Sequence, residues 1–150
     1  MKKIIAIITL VLSMFAASAD VKYNNKRCIV VSENGFARKM TLEEAEERLV
    51  VVTDLENQMN TSIRKLSKNI YDLQNYINKL SRARDKIIDG TVDMEGHDPV
   101  ELLARVNEAI DKCSNSIMVT NKKIAELNYY AKQEAEARES LTKYIAELKK

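Results

Sequence analysis

Between Leu42 and Leu148 the apolar positions of this chain recur at intervals of three and four. In a first run, Leu42, Ala45, Leu49, Val52, Met59, Ile63, Leu66, Ile70, Leu73, Ile77, Leu80 and Ile87 keep the spacing, and only Glu56 and Arg84 break it. In a second, it passes through Leu103, Val106, Ile110, Cys113, Ile117, Thr120, Ile124, Leu127, Ala131, Leu141, Ile145 and Leu148, with Glu134 and Arg138 as polar faults. This spacing gathers the side chains on one face of an α-helix. Sustained over many heptads, it makes that face a coiled-coil seam.

The ends of both runs carry helix signals. Thr41 and Glu44 form a capping box, and Glu43, Glu46 and Glu47 add negative charge where the helix dipole favours it. Asp89-Gly90 stops the first run. Asp98 caps the second, with Pro99 at the first helical position and Glu101 completing a box. The pattern predicts helices over about 41–89 and 98–149, each about 50 residues and about 75 Å long. The short link of residues 90–97 makes an antiparallel helical hairpin, coiled-coil-like, the expected product over 41–150. End charges favour the same arrangement: the glutamate-rich start would face Lys143, Lys149 and Lys150, and the basic end of the first helix would face Asp98 and Glu101. The alternative is a bent three- or four-helix bundle, broken in the weak helix-forming patch Asn57, Gln58, Asn60, Thr61 and Ser62.

Residues 20–40 follow another rule. Val21, Tyr23, Cys28, Ile29, Val30 and Val31 favour strands, and Glu33-Asn34-Gly35 is a turn signal. A β-hairpin pairing about 27–32 with 36–40 is predicted. It must pack on the helices, because an isolated hairpin is marginal in water. Residues 1–19 read as a signal peptide: Lys2 and Lys3, an apolar run from Ile4 to Ala16, and the small-residue pattern Ala17-Ser18-Ala19 before Asp20. The run is too short to span a membrane comfortably. The expected destination is the periplasm, the cell surface or the medium of a bacterium, with no stable membrane insertion after cleavage.

Composition narrows the function. Lys and Arg number 24 against 22 Asp and Glu, and loss of Lys2 and Lys3 brings the two to parity. Such a balance gives no electrostatic case for nucleic acid. A single histidine excludes sites needing two imidazoles. His97 lies near Asp93, Glu95 and Asp98, but lacks the ligand set of a zinc or calcium site. No metal, cofactor or catalytic residue is assigned. Cys28 and Cys113 would enter an oxidising compartment, which makes them a candidate disulfide pair. A straight first helix, a folded β-hairpin and an intrachain bond exceed the reach of the chain together, so the bond would imply bending, or link two chains, or be absent with Cys113 a buried thiol.

Beside the seams lie Val50, Val51, Leu55, Tyr71 and Tyr76 in the first helix and Val119, Tyr129 and Tyr130 in the second. These widen the apolar stripe and are the candidate interface, to be covered by residues 21–40 or by another subunit. The expected function is an exported, non-enzymatic protein-binding or structural and assembly protein of the bacterial envelope or cell surface, acting on a protein partner or by self-association. The alternative is a small secreted hydrolase or enzyme inhibitor using residues 21–40, which would need a pocket among Arg27, Glu33, Arg38 and the helices.

Overall fold

The structure is a computed structural model that describes residues 21–92 and 95–150. The expected signal peptide therefore lies outside the described residues. Helix α1 runs from Leu42 to Ile88 and helix α2 from Pro99 to Leu148, packed against each other as a hairpin. Helix α1 continues unbroken through Asn57–Ser62, so the weak patch does not end it.

The chain divides into two compact units, one formed by the segments up to Met59 and from Tyr129 onward, the other by Asn60–Asn128. The first contains a three-stranded antiparallel meander: β1 (Val21–Asn24), β2 (Ile29–Ser32) and β3 (Ala37–Lys39), with β2 in the centre. The sequence predicts only β2 and β3; β1 is additional. It was obscured because the turn before β2 lacks glycine. Arg27 N–H instead donates to both the carbonyl and the side chain of Asn24, and Cys28 takes a left-handed φ of 53°. The second turn is the expected one, with Gly35 at φ 78° and its N–H on the Ser32 carbonyl.

Strand pairing aligns Tyr23 with Val30, and Val30 with Arg38, so these three share one face of the sheet. That face closes a core of Cys28, Val30 and Met40 against Ala45 and Val52 of α1 and Ala137, Leu141 and Ile145 of α2. The small Ala45 and Ala137 are both buried, which lets sheet and helices approach closely. Tyr144 Oη donates to the Met40 carbonyl at 2.6 Å and ties the end of α2 to the start of α1.

The capping box forms as expected: Thr41 N–H donates to Glu44 Oε2 at 2.8 Å, and Glu44 N–H to Thr41 Oγ1 at 3.2 Å. Asp98 accepts from Val100 N–H at 2.9 Å. Helix α1 ends in a Schellman motif, with Gly90 N–H on the Ile87 carbonyl, Thr91 N–H on the Lys86 carbonyl and Gly90 at φ 66°.

In the Asn60–Asn128 unit the seam is thinner. Leu66, Ile87, Val106 and Leu127 are buried, whereas Ile70, Leu73, Ile77, Ile110 and Ile117 are half-buried. The core of the first unit should therefore dominate stability. Leu141 is fully buried, and Leu141→Ala should cost about 2–5 kcal/mol in denaturant unfolding. A loss below about 0.5 kcal/mol, the scale of ordinary surface substitutions, would contradict this packing.

Candidate functional site

Polar side chains in the first unit converge where the β1–β2 turn meets the helices. The half-buried Arg48 of α1 lies over the Tyr23 ring, 4.7 Å from its centroid, and its Nε donates to Asn25 Oδ1 at 3.1 Å. Lys26 reaches α2, hydrogen-bonding Gln133 and pairing with Glu136 at 2.7 Å. Below them Arg138 Nε donates to Glu56 Oε2 at 2.6 Å. Two of the seam faults, Glu56 and Arg138, thus meet across the helix pair, one turn from Glu134. Burial pushes the Glu134 carboxyl above its ordinary range and Glu56 adds to this, while Arg48 and Lys26 oppose it. Burial also lowers the Arg48 guanidinium, with Tyr23 and Glu134 opposing.

This cluster fixes the sheet to both helices. It contains no nucleophile beside a base. Cys28, the nearest thiol, is buried with Sγ against the carbonyls of Asn25 and Ser140, and burial, then Glu147, pushes its pKa up. A thiol held protonated in this way is a poor nucleophile. Among the described residues, no group of three or more His, Cys, Asp and Glu gathers to hold a metal ion.

The candidate Cys28–Cys113 disulfide is not formed: both thiols are free, one of the alternatives that the sequence leaves open. Cys28 is a core residue of the first unit, and Cys113 is half-buried in α2 within the other. An even count suggests a disulfide only where the fold brings two sulfurs together, and here each serves as a small apolar side chain.

Of the predicted interface residues, Leu55 is buried within the chain itself. Val50, Val51, Tyr71, Tyr76, Val119, Tyr129 and Tyr130 are exposed, so residues 21–40 do not cover them. Tyr129 and Tyr130 make an edge-to-face pair with centroids 5.5 Å apart. The structure adds Met118, Val100, Ile88 and Phe36 to the exposed apolar side chains, with Phe36 at the tip of the β2–β3 turn 77% exposed. The Asn34-Gly35 turn was the signal for Phe36; Met118 had none beyond its neighbour Val119.

Arg27 and Glu33 stand exposed on separate turns, and Arg38 is committed to Glu44 through bonds of 2.7 and 2.6 Å. The described hollows lie elsewhere. One flanks α2 between Lys132 and Lys143; a smaller one lies at its start, between His97 and Arg105. Two expected end contacts are also redistributed. Glu46 does pair with Lys149 at 2.6 Å, but Lys143 pairs with Glu139 and Glu101 with Arg105, each one turn away on the same helix.

Among the described residues no helix is long and apolar enough to cross a membrane. Comparison with protein-family models, curated proteins and solved structures finds no match.

Two carboxylates here should titrate with opposite effects on stability. The Arg38 fork, followed by the Thr41 N–H, lowers Glu44 to about 2. Its stabilisation is present above the unfolded carboxylate pKa and is lost as pH falls towards 2. Glu134, raised on folding, instead costs stability as pH rises through its folded pKa. In thermal melts across pH, Glu44→Gln should remove part of the acid-side loss. Glu134→Gln should gain relative to wild type above the carboxylate range; the reverse order would refute these assignments. The thiols give a further check. Under native conditions a maleimide should label Cys113 well before Cys28, and intact mass without reductant should show no Cys28–Cys113 bond.

Proposed function

We propose that this chain is an exported, non-enzymatic protein of the bacterial envelope or cell surface that works by binding protein or assembling with itself. The observation that carries the reading is the exposure of apolar and aromatic side chains in both units: Val50, Val51, Tyr129 and Tyr130 in the first, and Tyr71, Tyr76, Met118 and Val119 in the second. Tyrosine suits a contact surface because its ring buries apolar area at low entropic cost while its hydroxyl stays hydrogen-bonded. The polar cluster supports this indirectly, since it is spent on holding the sheet to the helices and supplies no acid–base pair in a cleft. The export half of the reading rests on the sequence of residues 1–19.

The test has two arms. Expressed in a bacterium with its first residues intact, the chain should be recovered outside the cytoplasm with an intact mass starting at Asp20. Retention of Met1 in a cytoplasmic product would end the export reading. A photo-crosslinking residue in place of Tyr71 or Tyr130 should give adducts of discrete mass, and the same probe at the exposed Lys22 should not. Equal, diffuse labelling from all three positions would end the binding reading.

A further inference from the structure

The two helices distribute their charges differently. On α2, opposite signs neighbour one another along the helix: Arg105 pairs with Glu101 at 2.9 Å, Lys112 with Glu108 at 2.6 Å and Lys143 with Glu139 at 2.6 Å. On α1, the face turned away from its seam sorts them. In the first unit that face carries exposed Glu43, Glu47 and Asp54 around the exposed Val50. In the second it carries exposed Arg64, Lys68, Lys79, Arg82 and Lys86 around a single acid, Asp72, with Tyr71 and Tyr76 on its shoulders. The residues follow the three-and-four spacing that keeps side chains on one helical face.

Sorting of this kind is unfavourable for a helix facing only water. Glu43 and Glu47, Arg64 and Lys68, and Arg82 and Lys86 are like charges four residues apart, which destabilises an isolated helix. None of these charged side chains has an ion-pair partner among the described residues. The helix dipole accounts for Glu43 in the first turn and Lys86 in the last. Its influence fades within a turn, leaving Glu47, Asp54, Arg64, Lys68 and Lys79 unexplained.

We propose that the basic outer face of α1 between Arg64 and Lys86 docks on the acidic outer face between Glu43 and Asp54 of a second copy of this chain. This names the partner in the binding reading above and rests on it. Charge complementarity selects the occupant. Each copy offers both a basic and an acidic face on the same helix, whereas on α2 Arg105, Lys112 and Lys143 already pair with acids one turn away. Val50, set among the acids, gives the tyrosines at the basic face an apolar surface to bury. Whether the two reciprocal contacts close a dimer or propagate a chain is set by geometry, and both are self-association.

Sedimentation of the mature chain at about 100 μM tests this, in salt of about 0.02 M and again at about 0.5 M, where screening acts over a few ångströms. Association at low salt that weakens at least tenfold at high salt is the expected result. Two variants carry the decisive comparison: Glu47→Lys with Asp54→Lys, and Arg64→Glu with Lys68→Glu and Lys79→Glu. All these positions are exposed and outside the capping turns, and helical circular dichroism confirms the fold; should a reversal unfold the chain, Glu47→Gln with Asp54→Asn replaces it and should weaken association. Each reversed variant alone should be monomeric, and a mixture of the two should reassociate, because every reversed face then meets its complement. A wild-type chain that is monomeric at low salt, association indifferent to salt, or a mixture that stays apart overturns the proposal. A monomeric chain that still gives discrete adducts from Tyr71 with a different protein overturns only the self-association and leaves the binding reading standing. Retention of the basic face by a polyanion such as heparin, without self-association, assigns that face to another anionic partner and likewise overturns it.

Discussion

Two helices packed side by side bury one seam and no more. Every other part of this structure answers to that constraint. In the Asn60–Asn128 unit nothing is added to the pair, and most seam residues stay half-buried. In the other unit the three-stranded sheet lies on the pair, and burial becomes complete at Ala45, Val52 and Leu141. The sheet is thus the third layer that a helical hairpin cannot supply. Its own marginal stability is remedied by the same contact.

Holding that layer in place is the work of the polar groups. Arg48 of α1 holds Asn25 of the β1–β2 turn, Lys26 of that turn reaches Glu136 of α2, Arg38 joins the last strand to the capping box, and Tyr144 anchors the strand exit. The Glu56–Arg138 pair fixes the helices at one relative height. Such pairs add little net stability where they are wet, and their contribution is register. The residues left over, the tyrosines and valines outside the seam, have no task within the chain.

Most of this was legible where the signal is local. The Thr41–Glu44 box, the Gly90 stop and the heptad seam are decided within a few residues, and each formed as its sequence indicates. The meeting of Glu56 and Arg138 was readable because heptad phase and the position of the link set relative heights along both helices. Strand β1 was not readable, because its turn depends on a left-handed cysteine held by a distant helix rather than on glycine. Arg48 was equally silent, since its partners exist only once the sheet has docked. Leu55 and Val51 look alike in sequence, yet one is buried and the other exposed. A few tens of degrees around the helix separate them, finer than spacing resolves.

The sheet near the beginning of the described chain is completed by its end. Cys28 rests on Ser140, 112 residues later, and Ala137, Leu141 and Ile145 close the core. A ribosome emits these turns only after more than a hundred residues have followed Cys28. Until then the strands lack the surface that stabilises them, and closing so long a loop is among the slow steps of folding. The nascent chain consequently carries no finished core around the sheet until residues 137–145 have followed.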